Sequence, residues 1–342
     1  RGLLAVKRYG MNLKLATPAL RLINSPGFGR KIIIYHATGQ SQEAVPVGDP
    51  YMLGKYAKPN VLAPNDGFGP HNPPLITGGP IVPVQNPFRF IPADDMDGET
   101  VALGAKQSTG IPAAMRITEM MRGEMIDILV INHAVGGQAF VGSTDVNDYV
   151  NGIRIEWGLH LDEPAGANSQ IFTNMVNRTN AVLGVAATDG YDEIVNHVCH
   201  THMEANKGDT PAEYSTQFLA WATAWEAACP TLNPTYWVHQ AGGTSGVGTG
   251  NAWGPRLSIP LILAGTSRAR HGTVGYGAEL STLEIPDDPT FEDGTHVNVK
   301  TRVLWGEERG VDIAAHERGE TVTRALPVTA SITTGTSVGR FY

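Results

Sequence analysis

Cysteine is nearly absent: Cys199 and Cys229 are the only two in 342 residues. Two cysteines cannot make a disulfide framework. Cys199 falls in an expected buried strand and Cys229 at an expected helix end before Pro230. Both read as unpaired buried thiols, with a single bridge left open. Long apolar runs are missing as well, and none approaches the roughly 18 residues of a membrane span. Positive charge is in deficit, with 25 Lys and Arg against 33 Asp and Glu and a formal charge of -8. Nucleic-acid partners select basic surfaces, so that class is set aside. No charged-then-apolar leader with a small-residue cleavage site follows Arg1. The chain therefore reads as a processed or truncated piece whose localisation signal lies outside it.

Hydrophobic residues make up 42% of the chain and charged residues 17%, the balance of a globular protein with a sizeable core. Ile32, Ile33 and Ile34 read as a buried strand, running through His36 into Gly39-Gln40-Ser41. A glycine at a strand end lets the chain turn sharply. A serine just beyond it is either a helix cap or a reactive hydroxyl lifted clear of the sheet. Residues 45–100 hold 11 of the 23 prolines, a density that blocks helix and sheet interiors. This stretch reads as an ordered surface excursion.

Further strands are expected at 126–131, 194–199, 236–239 and 259–263. Helices are expected at 110–123, 168–186, 211–228 and 296–310. Thr210, Pro211 and Glu213 form a capping-box signature for the third of these. Strands alternating with helices imply a parallel sheet covered on both faces. Parallel strands put their carboxyl ends on one edge, where α/β proteins bind ligands. The first three strands end in Gly39-Gln40-Ser41, Gly136-Gly137-Gln138 and His202-Met203-Glu204, and Asp293-Gly294-Thr295-His296 lies farther on. A serine, a histidine, an acid and a set of amides are what acyl transfer requires.

These blocks resemble those of the SGNH hydrolases, in the variant of the sialate O-acetylesterase-like carbohydrate esterases. Gly39-Gln40-Ser41 resembles the first block, Val135-Gly136-Gly137 the second and Asp293-Gly294-Thr295-His296 the last; Gly98-Glu99-Thr100 is also similar to a recurrent stretch. The resemblance spans roughly residues 30–311. It implies Ser41 as nucleophile, His296 as base and then acid, and Asp293 as its orienting carboxylate. The amides of Ser41 and Gly137 would form the oxyanion hole. Gln40, Gln138, Glu204 and Trp253, the last in an expected loop before Pro255, are the candidate substrate contacts. One block departs from the pattern: the family usually ends its third strand with Gln-Gly-Glu or Gly-any-Asn-Asp, where this chain has His202-Met203-Glu204. An imidazole N–H can donate in that place, so His202 is the expected oxyanion donor and Asn206 the fallback.

The expected fold is a three-layer α/β/α flavodoxin-like (SGNH hydrolase) parallel sheet with a long Pro/Gly-rich insertion. Its divisions are an N-terminal arm at 1–29, the esterase domain at 30–315 with the 45–100 insertion, and a C-terminal β extension at 316–342. The expected activity is a serine esterase that removes O-acetyl or similar acyl groups from a polysaccharide or oligosaccharide. No metal and no cofactor is expected. A non-catalytic carbohydrate-binding or virion-attachment module of the same fold is the alternative. A secreted or virion-associated setting, such as a phage tail, fits both readings, and homo-oligomer or virion assembly stays open.

Other signals receive plainer readings. On a strand His200 and His202 share a face and His197 points away, which suits a histidine cluster better than a metal site. The glycines from Gly242 to Gly250 lack the Lys-Ser/Thr ending of a phosphate loop. Arg268, Arg270 and His271 read as a solvated turn, and Trp221, Trp225 and Trp237 as core.

Overall fold

The structure is a computed structural model that describes residues 30–39, 60–65, 89–93, 109–135, 138–142, 147–150, 153–156, 158–164, 166–206, 208–240, 253–274 and 299–322. The isoleucine run lies inside β1 (Lys31–Gly39), the central strand of a seven-stranded sheet. Around it stand β2 (Val61–Pro64), β3 (Phe90–Pro92), β4 (Ile126–Asn132), β7 (Glu193–Thr201), β8 (Pro234–Gln240) and β9 (Ala269–Val274). The order is β3-β2-β4-β1-β7-β8-β9. Every pairing is parallel except that of β3 with β2. A separate antiparallel pair joins β5 (Asn147–Val150) to β6 (Ile153–Glu156).

The period-two alternation of a strand sends the side chains of β1 into two cores. Ile32 and Ile34 join one core with α2 (Gln170–Thr188), α3 (Pro211–Ala228) and α5 (Ile259–Gly265). Ile33, Tyr35 and Ala37 join the other, with α1 (Gly110–Met120) and α6 (Val299–Glu317). A short helix, α4 (Trp253–Leu257), precedes α5. Helices thus cover both faces of the sheet, as expected. Both thiols are free and buried, Cys199 in the α1/α6 core and Cys229 in the α2/α3 core. Trp221, Trp225 and Trp237 are at most 1% exposed. Among the described residues no helix is long and apolar enough to cross a membrane.

Local chemistry accounts for the helix starts. The Glu213 amide donates to Thr210 Oγ1 at 3.2 Å, and the Thr210 amide to Glu213 Oε2 at 2.8 Å, which is the reciprocal capping box. Ser169 Oγ caps α2 by accepting from the Phe172 amide at 2.9 Å.

Three expectations are corrected. Residues 259–263 are the helix α5, not a strand. A short apolar run does not distinguish the two, and here a proline in the first helical turn starts a helix with Ile259 and Ile262 turned inward. The outermost strand is instead β9, which contains Arg270 and His271. His271 is buried, so the basic cluster is not a solvated turn. Third, the proline-rich stretch contributes β2 and β3 to the sheet edge, with Pro64 and Pro92 confined to strand ends, where a missing N–H is tolerated.

Candidate active site

The edge where β1, β4 and β7 end is built by close backbone approach. Gly39 has φ of 118°, a conformation open to glycine and strained for other residues. A Cβ placed there would stand 1.9 Å from the Thr201 carbonyl oxygen, so no side chain fits between β1 and β7. On the other flank the His133 amide donates to Ala37 O at 2.7 Å and the Val135 amide to Gly39 O at 3.2 Å. The segment after β4 therefore runs beside the end of β1. Gln40-Ser41 and Gly136-Gly137 depart in sequence from these neighbouring points.

Ser41, Gln40, Gly137, Asp293 and His296 themselves lie outside the described residues. Glu204, in the 3-10 turn Glu204–Asn206, and Trp253, which opens α4, are described in their backbone only. Of the third block, His202 and Met203 are described with their side chains. His202 is wholly buried. Its Nε2 lies 2.7 Å from Gln138 O and its Nδ1 2.9 Å from the Tyr214 hydroxyl. A carbonyl only accepts, so Nε2 carries the hydrogen and Nδ1 takes one from the tyrosine. Burial lowers the pKa of the ring to about 4, which keeps it neutral with its one N–H already committed.

Asn206 is committed in the same way. Its amide nitrogen donates to Asp209 Oδ2 at 2.7 Å and to Gln217 Oε1 at 3.0 Å, while Oδ1 accepts from the Phe140 amide at 3.2 Å. These bonds correct the expectation of an oxyanion donor at either position, since neither side chain has a hydrogen left over. Both hold the segment 138–142, which follows Gly136-Gly137, against β7 and α3. Gln138, expected at the substrate, is buried and meets no solvent.

Met203 has φ of 132°, in the region that favours glycine. Its side chain is buried in the α2/α3 core.

Beneath this edge lie buried polar groups, of which the sequence had offered only His200 as part of a histidine cluster. Asn196 Nδ2 donates to Leu232 O at 2.5 Å, which leaves Oδ1 to accept from His36 Nε2 at 3.1 Å. His36 Nδ1 then accepts from His133 Nε2 at 3.2 Å. His200 Nδ1 stands 3.0 Å from Thr38 Oγ1, and its ring stacks on Phe140. Trp225 packs nearly perpendicular to both the His36 and His133 rings. Burial lowers His36 to about 4 and holds His133 and His200 well below the usual histidine range. Among the described residues no group of three or more His, Cys, Asp or Glu is placed to hold a metal ion.

His197 points to the opposite face, as the alternation requires. Trp237 Nε1 donates to its Nδ1 at 3.0 Å, and its Nε2 donates to Glu317 Oε1 at 2.9 Å. Lys31 Nζ bridges Glu317 and Glu193 at 2.5 and 2.9 Å. Burial pushes the Glu317 carboxyl up, but hydrogen bonds from His197 and Lys31 outweigh it and hold the group at about 2. This cluster fastens the end of α6 and takes no part in the carboxyl edge.

No protein-family model and no curated protein sequence matches the chain. Solved structures do. NanS aligns with a TM-score of 0.52 at 12% identity, over 85% of this chain and 98% of its own. A carbohydrate acetylesterase from Xanthomonas citri aligns with a TM-score of 0.50 at 14% identity, over 84% of this chain and 57% of its own. The chain shares its fold with these two proteins. The chain spans little more than half of the Xanthomonas protein.

Sequence reasoning missed the pair β5–β6. Its signal was present in Asn151-Gly152 between strand-like runs, a strong short-range hairpin cue. The bracing roles of His202 and Asn206 had no comparable signal, because their partners Gln138, Phe140, Tyr214 and Gln217 are distributed along the chain.

Proposed function

We propose that this chain is a serine esterase that removes O-acetyl or similar acyl groups from a carbohydrate. The observation that carries the reading is the shared carboxyl edge. Gly39 is pressed against Thr201 on one side and hydrogen-bonded to Val135 on the other, so the segments leading to Ser41 and Gly137 start side by side. The likeness to carbohydrate esterase folds supports the same reading.

In the proposed mechanism the Ser41 hydroxyl attacks the ester carbonyl while His296 takes its proton. Asp293 orients the imidazole and stabilises its charged form. The tetrahedral oxyanion rests on the backbone amides of Ser41 and Gly137. Because His202 and Asn206 have no hydrogen to spare, neither is given a place in the hole. Collapse expels the sugar alcohol, which takes the proton from His296. Water then attacks the acyl-serine, giving up its proton to His296, and the acid is released as the serine hydroxyl is restored.

The test is hydrolysis of 4-nitrophenyl acetate, followed by acetate release from O-acetylated polysaccharides. Ser41→Ala should lower kcat by about a thousandfold or more. Equal turnover by the wild type and Ser41→Ala, or none by either, overturns the proposal.

A further inference from the structure

The geometry points to Arg309 as a positioning residue for this esterase reaction, setting α6 against the strand ends that lead into the site. The inference rests on the reading above. In sequence, α6 begins at Val299, three residues after His296. Its depth in the molecule is set by contact with α1. A Cβ on Gly306 would stand 2.4 Å from Thr109 O, and one on Gly310 2.6 Å from Ala113 O. The two glycines, four apart and therefore on one helical face, let the backbones meet.

Arg309 lies beside that contact and is 1% exposed. Its Nη1 donates to Thr109 Oγ1 at 2.7 Å and to the Tyr35 hydroxyl at 3.3 Å, and its Nη2 donates to Thr201 Oγ1 at 2.8 Å. Tyr35 and Thr109 are themselves 2.9 Å apart. One planar group thus ties α6 to β1, to β7 and to the N-cap of α1. Thr201 is the residue pressed against Gly39. A shift of α6 is therefore transmitted through this guanidinium to the end of β1, from which the chain leads to Ser41.

A buried cation is a costly way to hold a helix, and apolar packing often does so with less penalty. What a guanidinium adds is a rigid fork that fixes several acceptors at once, which a lysine ammonium cannot reproduce. That rigidity matters where a small misplacement of reacting groups costs about a hundredfold in rate.

The test uses the whole chain, 4-nitrophenyl acetate and a fluorophosphonate that titrates the serine. Arg309→Lys and Thr201→Val should each lower kcat per titrated site by about tenfold to a hundredfold, with KM within about twofold. The rate of serine labelling should fall in parallel while its end point stays complete. Thr201→Val keeps the proposal testable if Arg309→Lys does not fold. Glu317→Gln, which loosens the other end of α6, should lower the unfolding midpoint but leave kcat per titrated site unchanged. Unchanged kcat per site in the Arg309 and Thr201 variants overturns the proposal, as does an equal loss in Glu317→Gln. A wild type that neither turns over nor labels removes the esterase reading itself, before any variant is compared.

Discussion

Gly39 has two separate reasons to be glycine: its φ of 118° and the Thr201 carbonyl 1.9 Å from where a Cβ would be. Gly39→Ala should cost about 3 kcal/mol or more in urea unfolding, since strained backbone of this kind costs up to about that much before any clash. Gly190 separates the two reasons, because its φ is 74° and nothing lies within 4 Å of its Cβ position. Gly190→Ala should cost only about 1 kcal/mol. His202 supplies a second test at this scale. His202→Leu removes the buried imidazole that bonds both the Gln138 carbonyl and the Tyr214 hydroxyl, so thermal or urea unfolding should show a loss of about 2 kcal/mol. The sequence offered His202 as a donor because a histidine can donate; whether its hydrogen is free depends on residues 12 and 64 positions away.

Among the elements, β1, β4, β7, β8 and the capped α3 were legible because hydrophobic period and capping chemistry are local. The exchange between α5 and β9 was not. Ile259–Leu263 looks like a strand by composition, and Arg268-Ala269-Arg270-His271 looks like a loop, yet tertiary packing makes the first helical and the second a strand. Residues 45–100 were read as an excursion because proline density suppresses any strand signal; two short strands fit between and at the prolines nonetheless. The contact between α6 and α1 yields a prediction opposite in sign to helix propensity. Alanine is favoured over glycine inside a helix by about 1 kcal/mol. In α2, where nothing lies within 4 Å of Gly184, Gly184→Ala should raise stability by up to that amount. In α6, Gly310→Ala must displace the backbone of α1, and overpacking of this kind should lower stability by about 2 kcal/mol. Paired urea titrations of the two variants measure both signs.

For the molecule as a whole, the buried imidazoles make stability depend on pH in acid. His36, His133, His200 and His202 all have folded pKa values held below the ordinary 6.5, chiefly by burial. The unfolded chain binds their protons first as pH falls, so stability is present above pH 6.5 and is lost on the way to about 4. His36 and His202 each account for a loss on the order of 3 kcal/mol over that window. Glu317, held at about 2, extends the loss to lower pH. Urea midpoints at pH 7, 6, 5 and 4.5 should fall steeply, and His36→Asn should flatten the slope. The two cysteines lead to a different use of the same architecture. Cys199 and Cys229 sit in cores on opposite faces of one sheet, and burial raises the Cys229 thiol to about 11. The native protein should be silent to thiol reagents. Pulse alkylation during refolding would then time-stamp each face of the sheet separately, one native thiol acting as the clock for each helical layer, with no label engineered in.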